Sequence, residues 1–152
     1  MAIYLVQHGR CHPAEIDPDR RLTDEGRAEV EAVAADAAAR GVRVVEVFHS
    51  GKTRALETAA VMARHLCEND PKERAGLGPN DPVAPFAEEL RAESECMYVG
   101  HLPFMERLVS HLIIGSQEPP VVSFTNGGIV CLDIDPRHAS WVIRWVMVPA
   151  YR

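Results

Sequence analysis

Short apolar runs alternate along this chain with stretches whose apolar positions recur three and four residues apart, which predicts strands alternating with amphipathic helices. The first run begins at Ile3, ends at Gln7, His8 and Gly9, and reads as a short buried strand with a glycine turn after it. A polar loop from Arg10 to Arg21, rich in Pro and Asp, leads to Thr23-Asp24-Glu25. Thr23 suits a helix N-cap, and the two acids fall at the positive end of that helix's dipole. Val30, Val33, Ala34, Ala37 and Ala38 give this helix one inward face, and Gly41 is placed to end it.

The β-branched stretch from Val42 to Phe48 predicts a second strand that delivers His49 and Ser50 at its end. A helix of about residues 53–67 follows, with Leu56, Ala60, Val61 and His65 on or near one face. Arg54 lies in its first turn, where the helix dipole disfavours a cation unless the guanidinium reaches towards an anion. A polar loop, Glu68 to Pro82, ends in Pro79-Asn80-Asp81-Pro82 and starts a short helix to about Ala92. Cys96 to Val99 predicts a third strand, closed by Gly100-His101. The amphipathic helix after it runs from Pro103 to about Ile114. Val121–Ile134 and Ser140–Val148 are β-rich and flank Asp135-Pro136-Arg137-His138, a hairpin pattern. The order predicts one domain over residues 1–152 of the α/β class: a three-layer α/β/α sandwich whose sheet is mainly parallel with an antiparallel edge.

Composition narrows the partners. With 47% apolar and 25% charged residues the chain is an ordinary globular one, and no apolar run approaches the ~20 residues of a membrane span. The N-terminus has no basic segment followed by an apolar core, so no signal peptide is expected and the cytoplasm is the expected compartment. A formal charge of −6 argues against a nucleic-acid partner but leaves room for a small cationic pocket. Cys11, Cys67, Cys96 and Cys131 show no CxxC spacing and read as reduced thiols, without zinc or disulfides.

Two familiar phosphate patterns fail on single positions, and a metal site fails for want of ligands. A cysteine phosphatase loop built on Cys11 needs an arginine six residues on, and position 17 is aspartate. Gly51-Lys52-Thr53 resembles the end of a P-loop, whose earlier glycine would fall at position 46, which is glutamate. His8, His12 and His101 lack a carboxylate at ligand spacing, so no metal is expected.

What remains is a recurring junction. His8 (with Gln7 and Arg10), the segment Ser50 to Arg54, and His101 each stand where a strand gives way to a helix, and in open α/β sheets such ends share one crevice. Two imidazoles and a guanidinium there suit phosphoryl transfer. A neutral imidazole is a competent nucleophile near pH 7, and a guanidinium matches phosphoryl oxygens in a bidentate fork.

At these residues the chain resembles the histidine phosphatase superfamily, most closely its small phosphohistidine phosphatase branch. Leu5-Val6-Gln7-His8-Gly9 corresponds to the nucleophile motif, and Arg20-Arg21-Leu22-Thr23-Asp24-Glu25-Gly26 to Arg-Pro-Leu-Thr-x-x-Gly. Ser50 to Ala59 corresponds to Ser-x-x-x-Arg-Ala-x-x-Thr-Ala, Val99-Gly100-His101-Leu102-Pro103 to the second-histidine motif, and Phe124-Thr125-Asn126 to a late pocket strand. The resemblance implies a metal-independent phosphatase without a cofactor. His8 would be the nucleophile, and Arg54 and His101 would hold the phosphoryl oxygens. Gln7, Arg20, Ser50 and Asn126 would contact substrate. The implied substrate is a protein carrying phosphohistidine, with a small phosphomonoester as the alternative. The chain has no long insertion to build a lid over a small molecule.

The family's Arg-His-Gly is here Gln7-His8-Gly9, an uncharged amide in place of a cation. Removing one oxyanion donor costs ~3 kcal/mol, or about 10²–10³ in rate, so two outcomes stay open. Either Arg10, Arg20 or Lys52 restores the charge, or the protein is a weak or inactive phosphohistidine-binding module. Larger mutase-type relatives take their leaving-group acid from the region before the third strand. Asp81 is the first candidate here, because Glu88 and Glu89 fall on a helix where they would simply be solvated. His12, His65, His111 and His138 read as structural, and His49 as pointing away from the junction.

Overall fold

The strand that carries His8 is β1 (Ile3–Gln7), and its side chains alternate between two cores. Ile3 and Leu5 pack on one face of the sheet, while Tyr4 and Val6 pack on the other. In the computed structural model, which describes residues 1–150, five more strands complete the sheet. They are β2 (Val47–His49), β3 (Lys72–Glu73), β4 (Met97–Gly100), β5 (Ile129–Asp135) and β6 (Ser140–Met147).

The spatial order is β3-β2-β4-β1-β5-β6. The first four strands run parallel, β5 is antiparallel to β1, and β6 is antiparallel to β5. Helices α1 (Asp24–Ala39) and α2 (Thr53–Leu66) cover the Val6 face. Helices α3 (Val83–Glu89) and α4 (Phe104–Ile114) cover the Leu5 face. This is the expected three-layer α/β/α sandwich with an antiparallel edge. Thr23 caps α1 by accepting from Gly26 N at 2.9 Å, and Gly41 follows the helix at φ +87°. No helix of the described residues is long and apolar enough to cross a membrane.

Two strand starts differ from the sequence reading, for one reason. The β2 strand begins at Val47 rather than Val42, because the backbone before it bonds elsewhere: Val42 N to Ala37 O, Val44 N to Leu66 O and Val45 N to Glu95 O. Likewise β5 begins at Ile129 rather than Val121. Val122 and Phe124 pack against the Leu5-side core, yet Val121 N bonds Ser110 Oγ and Gly128 N bonds Thr125 O. Apolar patterning reports burial, and burial without a ladder partner gives a packed loop. Conversely, Lys72-Glu73 pairs with β2 as a two-residue edge although both residues are exposed and charged.

Candidate active site

Parallel pairing brings the three junctions together. Gln7 lies beside Gly100 and His49 beside Val99, so β1, β2 and β4 end at one rim and hand on His8, Ser50 and His101 as neighbours. The His8 and His101 ring centroids are 5.1 Å apart, and Ser50 Oγ lies 2.6 Å from His101 Nε2.

The peptide that carries the nucleophile candidate is held on every polar group. His8 N donates to Gly100 O (3.0 Å), His8 O accepts from Asn126 Nδ2 (2.9 Å), and Gly9 N donates to Thr58 Oγ1 (2.9 Å). His8 Nδ1 lies 2.8 Å from Gly9 O. A carbonyl oxygen only accepts, so Nδ1 carries the proton and the Nε2 lone pair is left free. Gly9 does not serve as a positive-φ turn residue; it is small because the loop lies hard against α1. A Cβ there would lie 2.7 Å from Val30 Cγ2, and one on Gly26 would lie 2.1 Å from Arg10 O.

Charge concentrates at this rim. Arg54, at the start of α2, has its Nε buried without a hydrogen-bond partner. Arg20 holds a left-handed backbone (φ +53°) and donates to His12 O at 3.3 Å, with Cys11 Sγ at 3.6 Å. Neither guanidinium is paired with a carboxylate among the described residues. Arg10 is different: it is exposed and bound to Glu25 (2.9 Å) and Glu29 (2.8 Å). Burial, reinforced by Arg20, lowers the Arg54 pKa. Burial also lowers the His8 pKa, helped by Arg54 and Arg20 and opposed by the Gly9 carbonyl. Burial pushes His101 down to about 3, with His8, Arg54, Lys52 and Arg20 adding repulsion. Both imidazoles are therefore neutral at pH 7, beside Arg54 and Arg20, which have no carboxylate partner among the described residues.

The remaining expected residues have definite places. Gln7 is half-buried at the end of β1; its carbonyl accepts from Gly127 N, and its side-chain amide has no partner among the described residues. Asn126 stands in a loop rather than a strand and supports His8 from behind. Asp81 is exposed, and its carboxylate accepts from Gly78 N at 2.7 Å within its own turn. Glu89 pairs with Arg74 at 2.6 Å. His49 is buried and accepts from Gly51 N at 3.0 Å through Nδ1. One residue escaped the sequence reading, and a second was legible only as a motif position. Glu73 of β3 lays its carboxylate over Gly51, where a Cβ would lie 2.8 Å from the carboxyl carbon. Thr58, the threonine of the Ser50–Ala59 motif, is a fully buried hydroxyl among Ala55, Ala59 and Met62 on the buried stripe of α2, and the motif gave no sign of what it bonds.

The fold and these groups define a layered α/β protein with a histidine-paired, cationic crevice at the ends of its parallel strands. The model of the histidine phosphatase superfamily (branch 1) matches residues 3–77, from β1 through the loop after β3, and the chain is similar to that superfamily. Among curated relatives, it is 32% identical over 94 residues to the serine/threonine-protein phosphatase PGAM5, mitochondrial, of Homo sapiens. That match takes in 57% of this chain and 32% of PGAM5, so the chain spans about a third of the relative's length. Two solved structures match nearly end to end. The protein histidine phosphatase SixA complexed with tungstate superposes with a TM-score of 0.80 at 24% identity, covering 98% of this chain and 97% of that one. The putative phosphohistidine phosphatase SixA from Agrobacterium tumefaciens gives 0.77 at 26% identity, covering 97% of each chain.

Proposed function

We propose that this protein is a phosphatase that works through a phosphohistidine on His8 and acts on protein phosphohistidine. The observation that carries the reading is the 2.8 Å contact of His8 Nδ1 with the Gly9 carbonyl, which leaves Nε2 as a free base in a crevice with the guanidiniums of Arg54 and Arg20, neither joined to a carboxylate among the described residues. In the first step Nε2 attacks phosphorus as the P–N bond to the substrate imidazole breaks, and the departing nitrogen takes a proton from water. In the second, water attacks the phosphorus of phospho-His8, releasing inorganic phosphate and restoring the imidazole. Arg54 and Arg20 meet the equatorial oxygens, and their contacts strengthen as charge develops there. His101, linked to Ser50, faces the phosphoryl group as a hydrogen-bonding partner able to take up a proton once the anion is bound.

The protein substrate draws support from the relatives: PGAM5 and SixA are both phosphatases of proteins by name. The leaving imidazole, with a pKa near ~6.5, needs little acid assistance, which suits a rim where Asp81 is tied up in its own turn. Four free cysteines are consistent with a reducing compartment such as the cytoplasm.

Gln7 favours a second reading, a module that binds phosphohistidine without turning it over, because its amide brings no charge to the oxygens. Brief mixing with a ³²P phosphodonor separates the two. Acid-labile label on the wild type that turns over, and is absent from His8→Ala and Arg54→Ala, supports the phosphatase. Turnover that persists in His8→Ala refutes it, and binding of phosphohistidine protein without label or release establishes the module. Parallel assays on sugar and nucleotide phosphates test the substrate class.

A further inference from the structure

The hydroxyl of Thr58 joins two residues of the crevice that lie on different elements. It accepts from Gly9 N at 2.9 Å and donates to Arg54 O at 2.8 Å. The direction is fixed by chemistry: Arg54 O can only accept, so the hydroxyl proton points to it and an oxygen lone pair meets Gly9 N–H. Thr58 is the one polar residue among the buried positions of α2 and is completely inaccessible to solvent.

We propose that Thr58 is a positioning residue, whose hydroxyl sets the spacing between the His8 imidazole and the Arg54 guanidinium. The proposal rests on the phosphatase reading. Three hydrogen bonds from three elements hold the backbone around His8, from Gly100, Asn126 and Thr58. The Gly100 bond ties the nucleophile to β4 and the Asn126 bond ties it to the loop before β5. The Thr58 bond alone leads to the residue that carries Arg54. A single phosphoryl group must be met by both side chains, so their separation decides whether the in-line attack and the charge contact happen together. Displacements of about 1 Å at such a junction can cost ~10² in rate.

Thr58→Val keeps a β-branched side chain of similar shape but leaves Gly9 N–H buried without an acceptor. The His8–Gly9 peptide can regain a partner only by moving. Thr58→Ser keeps the hydroxyl and removes a methyl group. A residue that merely fills the core would show the reverse pattern.

The test is steady-state kinetics on one phosphohistidine protein, with thermal melts, for wild type, Thr58→Val and Thr58→Ser. We expect kcat of Thr58→Val to fall at least about tenfold while it stays folded, and Thr58→Ser to remain within about threefold of wild type. A Thr58→Val enzyme as fast as wild type, or a Thr58→Ser enzyme as slow as Thr58→Val, overturns the proposal. If Thr58→Val melts below the assay temperature, Thr58→Ala takes its place under the same criteria. Should wild type neither turn over nor label at His8, the phosphatase reading fails by itself. Inorganic phosphate binding then decides on Thr58: affinity weakened about tenfold in the valine variant and kept in the serine variant supports positioning. Equal affinities in all three refute it.

Discussion

His101 gives the most quantitative prediction, the loss of stability in acid. The imidazole is 2% exposed, and burial with four neighbouring groups (His8, Arg54, Lys52 and Arg20) pushes its pKa to about 3 from an ordinary 6.5. Below pH 6.5 the unfolded chain therefore takes up a proton at this position that the native protein does not. The unfolded state binds more protons, so stability falls as pH falls, through a window from about 6.5 down to about 3. Each pH unit inside that window costs about 1.4 kcal/mol, so going from pH 7 to pH 5 removes roughly 2 kcal/mol on account of His101 alone. His8 is shifted in the same direction and adds to the wild-type slope.

The perturbation is His101→Gln, which removes the titrating group and keeps a polar partner for Ser50. Urea unfolding at several pH values from 7 to 5, in a buffer free of phosphate, should show wild type losing about 2 kcal/mol more than the variant. In thermal melts this corresponds to roughly 4–8 °C for a chain of this size. Because His8 is present in both proteins, its contribution cancels to first order. Saturating inorganic phosphate should flatten the wild-type limb, since an anion in the crevice offsets the repulsion that keeps His101 neutral. Parallel pH curves for the two proteins would refute the reasoning: His101 would then titrate as an ordinary imidazole, and the crevice would not be the dry, cationic place its surroundings imply.

Three further outcomes follow from the geometry. Gln7→Arg should raise kcat/KM about tenfold or more, corresponding to ~1.4 kcal/mol of transition-state contact; an unchanged value would show that Arg20 and Arg54 already saturate the phosphoryl oxygens. Asn126→Ala frees the His8 carbonyl of its 2.9 Å donor and should cost about 1–3 kcal/mol in denaturant unfolding; wild-type stability together with a large loss of substrate affinity would instead make Asn126 a substrate contact. Gly9→Ala places a Cβ 2.7 Å from Val30 Cγ2 and should destabilise by roughly 1–3 kcal/mol, with partial rescue by Val30→Ala in a double-mutant cycle; additive effects would mean that the clash lies elsewhere.

Much of the architecture is written locally. Periodicity placed α1, α2 and α4, a turn signal placed the start of α3 but ran it to about Ala92 where it ends at Glu89, Thr23 and Gly41 bounded α1, and the His8, Arg54 and His101 motifs were legible because each combines a strand end, a small residue and a charged or imidazole group. Where a strand begins was not legible, because Val42–Glu46 and Val121–Gly128 are apolar enough for strands, yet the N–H groups of Val42, Val44, Val45 and Val121 find partners outside the sheet. Nor could the sequence say which of several arginines faces the crevice. Arg10 sits two residues from His8 but is neutralised by Glu25 and Glu29, while Arg20, ten residues further on, holds a left-handed backbone and meets no carboxylate among the described residues. Thr58 and Asn126 show the same division. The chain states their polarity, but a hydrogen bond between residues 49 or 118 positions apart exists only once the sheet and α2 have brought the partners together. Local propensity and burial pattern belong to short stretches of chain, whereas ion pairing, desolvation and the pKa values that follow depend on which groups meet in space, and only the tertiary structure decides that.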